Sequence, residues 1–231
     1  MKFVLIYFDD RLRALAEAKL REMGDCFPCF GEAVDEDEVA SCDYIVSLGG
    51  DGTLLKAAQF AIRHNKRLIG INAGHLGYLC ALEGDSLPRL TLDDIEHLHE
   101  SPRALLECNG RIAINDVCVL KKNPGRTVTV EAQGIETWKG DGVIVSTATG
   151  STSYNEAAGG YVLPPLSEEI VVTAVCPHFS KHRSVKVKDG KVTLKMNYST
   201  NGCLVIDGVV LGDAVGDIDI IRSDKKLRLM K

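Results

Sequence analysis

The chain has 231 residues, 45% of them apolar and 26% charged, with a formal net charge of −5. That is enough to bury one large core or two small ones, in a composition ordinary for a globular protein. A negative balance without any basic run argues against nucleic acid as a main partner. No apolar stretch approaches the ~20 residues that cross a bilayer, so no membrane partner is expected either.

The opening run, Met1 to Asp10, is strand-like, with the strand over residues 2–8, and ends in two acids. A secretory leader would stay apolar and end in small residues, so the expected compartment is the cytoplasm. From Asp10 to Met23 the apolar residues Leu12, Leu15, Ala16 and Leu20 share one helical face, and Gly24 is the expected stop. Cys26-Phe27-Pro28-Cys29 has the spacing of a zinc or redox pair, but no second pair exists. The other cysteines, Cys42, Cys80, Cys108, Cys118, Cys176 and Cys203, lie mostly in apolar runs. Free thiols in a reducing compartment are therefore expected, with no role assigned to Cys26 and Cys29.

Asp43 to Leu48 reads as a short buried strand, and Thr53 to His64 carries apolar residues at helical spacing. Between them, Gly49, Gly50 and Gly52 surround Asp51. Glycines let backbone N–H groups approach a ligand, and the helix start adds a positive dipole end, which suits a phosphate chain. A carboxylate among those groups would repel phosphates. It is better placed to take a proton from an attacking hydroxyl, or to hold a metal ion. The plain alternative is a tight turn in which Asp51-Gly52 caps a helix. Arg67 to Asn72 reads as a further buried strand. Strand–helix–strand order predicts a parallel sheet, with ligands beyond the C-terminal strand ends, where Gly49–Thr53 and Asn72–Leu79 lie. His97 and His99 sit two apart in an acidic stretch read as helical, pointing to different sides, which disfavours a shared metal.

From about Arg103 the pattern changes to short alternating strands. Asn109-Gly110, Asp189-Gly190 and Asp207-Gly208 each stand between β-prone runs, the strongest short hairpin signal. The expected architecture is an α/β domain with a parallel sheet and the glycine-rich loop (residues 1–102), then a mostly β domain (residues 103–231). The last residues are expected to pack back on the first domain, and the active site to lie in the cleft between the two.

Asp141 to Gly160 is a strand, then five hydroxyls in seven residues (Thr147, Thr149, Ser151, Thr152 and Ser153), then Tyr154 and a short helix ending in Gly-Gly. Hydroxyls and one ring suit a ribose and a planar base. The alternative is a loop that caps its own helix through Ser151 or Thr152. Capping needs only one hydroxyl. Neither the Walker phosphate loop nor the Gly-x-Gly-x-x-Gly fingerprint occurs.

In type, order and spacing, four motifs resemble those of the NAD kinase family. They are Gly49-Gly50-Asp51-Gly52-Thr53, Asn72-Ala73-Gly74-His75-Leu76-Gly77-Tyr78-Leu79, Asn115-Asp116 and the Asp141–Gly160 segment. The resemblance covers roughly residues 43–212. It implies transfer of the ATP γ-phosphoryl group to the adenosine 2′-hydroxyl of NAD, with Mg²⁺ or another divalent ion. By that resemblance Asp51 is the general base and helps to place the metal. Gly49, Gly50, Gly52, Thr53, Asn72 and Gly74 belong to the phosphate-holding loops. Asn115 and Asp116 engage ribose and adenine, while Asp141, Thr149, Thr152, Ser153 and Tyr154 line the dinucleotide pocket. Homodimers or homotetramers are implied as well.

Departures from the family pattern are Asp116 for Glu, Ala148 for Pro, Ser153 for Ala, Ala157 for Ser and Val209 for Gln. Two alternatives stand beside this reading. One is a kinase with the same glycine turn acting on a lipid or sugar phosphate; the other is a non-catalytic NAD(P) sensor. The Asp141–Gly160 segment lacks the Arg and Lys a sugar phosphate calls for, and a sensor has no use for Asp51 beside phosphates.

Overall fold

The computed structural model describes residues 1–74, 77–196 and 201–231, so His75 and Leu76 of the second motif lie outside the described residues. The chain divides into two units, Met1–Pro102 with Leu227–Lys231, and Arg103–Lys226.

The first unit runs β1 (Lys2–Tyr7), α1 (Arg13–Met23), β2 (Asp25–Phe30), α2 (Glu36–Ser41), β3 (Tyr44–Leu48), α3 (Asp51–Arg63), β4 (Arg67–Asn72), β5 (Leu82–Glu83), a 3₁₀ turn (Gly84–Arg89) and α4 (Leu92–Glu96). Its strands lie in the order β2-β1-β3-β4, all parallel. β3 is buried along its whole length because both faces of a parallel sheet are covered, which is why it reads as one apolar run. Phe3, Leu5, Val46 and Ile69 form a core with Ala16 and Leu20 of α1.

α1 begins later than its pattern suggests, because Leu12 adopts a left-handed backbone (φ 62), which cannot continue a right-handed helix. β2 is the Cys26–Cys29 segment itself, and Pro28 is tolerated there because β2 is the last strand of the parallel set. Both thiols are buried and unpaired, and burial pushes Cys26 up to about 11. The expected helix through His97–His99 stops at its cap, His97. His99 instead exchanges backbone hydrogen bonds with Lys231 at 2.8 and 2.9 Å.

In the second unit the strands are β6 (Glu100–Cys108, which begins in the first unit), β7 (Arg111–Ala113), β8 (Asp116–Lys121), β9 (Val128–Ala132), β10 (Glu136–Gly140) and β11 (Gly142–Ser146). After α5 (Tyr154–Ala157) come β12 (Ile170–Val175), β13 (Ser184–Val187), β14 (Lys191–Met196), β15 (Gly202–Ile206), β16 (Val209–Asp213) and β17 (Gly216–Met230), the last ending in the first unit. One antiparallel sheet has the order β13-β12-β11-β8-β15-β16; a second set has the order β10-β9-β14-β17. Alternate residues of both, such as Val128, Val130, Val143, Val172 and Leu194, enclose the core with Trp138.

The Asn109-Gly110 and Asp207-Gly208 hairpins form, with Cys108 opposite Arg111 and Ile206 opposite Val209. Asp189-Gly190 does not join a hairpin. β13 pairs with β12, whereas β14 pairs with β9 and β17, so this turn carries the chain from one sheet to the other. The β-prone run after the Asn109-Gly110 turn is broken at Ile114-Asn115, between β7 and β8.

Trp138 is fully buried, and its indole N–H donates to the His182 carbonyl at 3.1 Å. Trp138→Ala removes the largest side chain of this core, so urea unfolding followed by circular dichroism should show a loss of about 3–5 kcal/mol. A loss under about 1 kcal/mol would contradict the packing described.

Candidate functional site

The glycine turn follows directly from β3. At Gly49 (φ 154) a Cβ would fall 2.4 Å from the Thr53 hydroxyl oxygen, so a side chain is excluded on both conformational and steric grounds. Added Cβ atoms at Gly50 and Gly52 would meet nothing within 4 Å, which leaves open space against the turn. The Gly49 N–H donates to the Ile71 carbonyl, while the Thr53 and Leu54 N–H groups turn back to the Gly50 carbonyl. The amides of Gly50, Asp51 and Gly52 have no hydrogen-bond partner among the described residues. They are the unpaired start of a 13-residue helix, where an anion is favoured.

Asp51 is not the cap of that helix. The N-cap is Gly50, and the Asp51 carboxylate points to another loop: Oδ2 accepts the Tyr78 N–H and Oδ1 the Leu79 N–H, both at 3.1 Å. The plain capping alternative therefore fails. The Lys231 ammonium takes the carbonyls of Tyr78 and Cys80 at 2.8 Å each, so this loop is gripped through its amides and its carbonyls alike. Burial, with Asp51 nearby, pushes the Cys80 thiol up to about 11.

Asn72 ends β4 fully buried. Its amide donates to Glu83 at 2.9 Å and accepts the Gly74 N–H at 3.0 Å, so its side chain braces the start of the loop.

In the second unit the Ile114–Asp116 bend is held from two sides. The Asp207 carboxylate accepts the N–H groups of Ile114, Asn115 and Asp116 at 2.8, 2.7 and 3.1 Å. The Thr147 hydroxyl donates to the Ile114 carbonyl at 2.6 Å, and the Thr147 N–H and Ser146 hydroxyl both reach the Asn115 carbonyl. Gly150 lies so close that a Cβ would fall 2.2 Å from the Asn115 carbonyl oxygen, a backbone atom unable to move aside.

Much of the hydroxyl density that suggested a ribose surface thus braces the protein. Ser151 donates to the Ala148 carbonyl and accepts the Leu163 N–H, while Thr152 donates to the Thr149 carbonyl. Ser153, rather than Ser151 or Thr152, caps α5, accepting the Tyr154 N–H. Thr149 differs: its hydroxyl is buried and has no partner among the described residues. The Tyr154 ring is exposed, and Asp141 pairs with the Lys121 ammonium at 2.7 Å.

Asp116 is the most perturbed carboxyl of this set. Burial raises it to about 6, opposed by a hydrogen bond from the Cys118 thiol at 3.2 Å, with the Asp207 charge raising it further. Burial also raises Asp207, against the pull of its three amide donors. Asp207, Lys231 and Glu83 escaped the sequence reading. Asp207 was seen only as a turn residue, since a hairpin signal says nothing about where the side chain goes.

The geometry defines a class: a two-unit protein with one carboxylate in a glycine turn of its parallel α/β unit and a braced Asn-Asp bend in its antiparallel unit. Family models described as the ATP-NAD kinase N-terminal and C-terminal domains match residues 16–99 and 113–231. The chain belongs to the NAD kinase family.

An NAD kinase of Sulfurimonas denitrificans is 36% identical over 82% of this chain and 72% of that protein. One of Chlorobium limicola is 36% identical over 65% of this chain and 56% of that protein, so the chain spans just over half the length of that relative. The crystal structure of an NAD kinase from Archaeoglobus fulgidus in complex with ATP matches with a TM-score of 0.83 and 26% identity, covering 100% of this chain and 94% of that one. Yeast NADH kinase, solved with NADH, shares the fold at a TM-score of 0.76 and 20% identity, covering 96% and 80%.

The raised Asp116 carboxyl has a consequence for stability. Its folded-state value lies above the unfolded one, so the folded chain holds the proton longer, and stability falls as pH rises from about 4 through about 6. Asp116→Asn removes that penalty. Urea unfolding should show the variant gaining on the parent by up to about 3 kcal/mol at pH 8, with the gain shrinking toward pH 4.5. A difference independent of pH would contradict the buried-carboxyl assignment.

Proposed function

We propose that the chain transfers the γ-phosphoryl group of ATP to the adenosine 2′-hydroxyl of NAD, giving NADP and ADP. The observation that carries this reading is the Asp51 carboxylate, oriented by the Tyr78 and Leu79 amides at the edge of an open glycine turn. Family membership supports the reaction class, and the ATP complex of the Archaeoglobus relative supports the donor.

Phosphoryl transfer asks a protein for positioning and charge neutralisation rather than covalent participation. The free amides of Gly50, Asp51 and Gly52 are suited to the phosphates, with Gly49, Thr53, Asn72 and Gly74 shaping the loops around them. Asp51 takes the proton as the 2′-oxygen attacks the γ-phosphorus and the bond to the bridging oxygen of ADP breaks. The second unit supplies the acceptor groups: the side chains of Asn115 and Asp116, the unpaired Thr149 hydroxyl, Thr152, Ser153, the exposed Tyr154 ring and Asp141.

Each Asp51 oxygen accepts one amide and keeps a further lone pair, so a hard cation fits beside it. Mg²⁺ is commonly held by one or two carboxylates together with substrate phosphates, and here Asp51 would be the protein ligand. The ion would neutralise phosphate charge.

The protein is further proposed to act in the cytoplasm, where its free cysteines suit a reducing environment, and to self-associate as a homodimer or homotetramer. Exposed Val209, Val210 and Val215, on and just after the last strand of their sheet, support association.

Incubation with ATP, Mg²⁺ and NAD should yield NADP. Product only with a lipid or sugar acceptor would favour a related kinase, and NAD binding without product a sensor. Asp51→Asn should lower turnover by about 10²–10⁴-fold while NAD binding stays nearly intact. Near-normal turnover in that variant would refute the base assignment.

A further inference from the structure

We propose that Asp207 is a positioning residue for the acceptor substrate: its carboxylate locks the Ile114–Asp116 backbone and thereby aims the Asn115 and Asp116 side chains at the NAD adenosine. This rests on the function proposed above.

Asp207 opens the two-residue turn between β15 and β16 in a left-handed conformation (φ 46). Its own N–H donates to the Asp116 carbonyl at 3.1 Å, while its carboxylate collects the three amides of the bend from more than 90 residues away in sequence. The Ile114 and Asn115 carbonyls are held by Thr147 and Ser146. Every backbone donor and acceptor of the bend is thus engaged by protein, so it can offer a ligand only its side chains. The Asn115 carboxamide has no partner among the described residues, and Asp116 has the Cys118 thiol.

The turn alone does not explain an aspartate. Asn-Gly serves such hairpins equally well. Three converging N–H donors require an acceptor with at least three free lone pairs, which a carboxylate has and a carboxamide lacks; an Asn here would direct N–H toward N–H. The choice of Asp follows from the bend it holds.

The test uses the full chain with Asp207→Asn, Asn115→Ala and the double variant. KM for NAD, KM for ATP and kcat are measured, together with calorimetric NAD affinity and melting temperature. Asp207→Asn should raise KM and Kd for NAD about tenfold or more and leave KM for ATP within about twofold. The double variant should be little worse than the weaker-binding single variant, because both substitutions act through one bend.

NAD affinity unchanged within about twofold, a parallel rise in both KM values, or additive effects would each overturn the proposal. Should Asp207→Asn fail to fold, Thr147→Val loosens the same bend from its carbonyl side and should give the same selective loss, about three- to tenfold. If the parent chain makes no NADP, the proposed function fails, and NAD calorimetry alone then decides the role of Asp207. A parent that does not bind NAD overturns both.

Discussion

In both units of this protein, amides of an irregular bend find their acceptor in a carboxylate borrowed from a distant element. Asp51 takes the amides of Tyr78 and Leu79; Asp207 takes those of Ile114, Asn115 and Asp116. Glu136 does the same for Lys181 and His182 at 2.9 and 3.0 Å. Charge-assisted hydrogen bonds of this kind are about twice as strong as neutral ones, and two or three sharing one carboxylate define a direction as well as a distance. Loops without regular structure are thereby given a fixed shape. The sheets provide the frame, and the carboxylates set the site upon it.

The same economy governs the hydroxyls. Ser146, Thr147, Ser151 and Thr152 all donate to backbone carbonyls, so the segment after β11 is chiefly a brace. Of its hydroxyls, that of Thr149 is buried without a partner among the described residues, and the Tyr154 ring is exposed. Braced backbone with a few unpaired polar groups is how a site gains specificity without mobility. Gly150 completes the arrangement, because only a residue without a side chain lets the brace lie against Asn115.

Elements with strong periodicity were legible in the sequence. β4 has the bounds its apolar run suggested, and β1 and β3 lie within one or two residues of theirs. Two of three Asx-Gly turns closed hairpins. The Asp189-Gly190 turn did not, because strand pairing is decided by which sheet buries each face and not by the turn between the strands. β2 was hidden by its Cys-Phe-Pro-Cys composition and α2 by its shortness, with its start set by the cap Asp35, whereas the acidic stretch read as helical holds the short α4, which starts at the cap Thr91 and ends before His99.

At the candidate site, the glycine turn could be read because glycine and a lone acid between a strand and a helix leave a local signature. Asp207 and Lys231 left none. Their partners lie about 90 and 150 residues away, and contacts at that separation are a property of the fold.

Both units are tied to one chemical claim, that an oriented acid receives the acceptor's proton. The most direct measurement is a crystal structure of the chain with NAD and a non-hydrolysable ATP analogue. The account requires an Asp51 carboxylate oxygen about 2.6–3.2 Å from the adenosine 2′-oxygen, with the Tyr78 and Leu79 amides still bound to that carboxylate. A 2′-oxygen beyond about 5 Å, with Asp51 turned away and no bridging water, would contradict it.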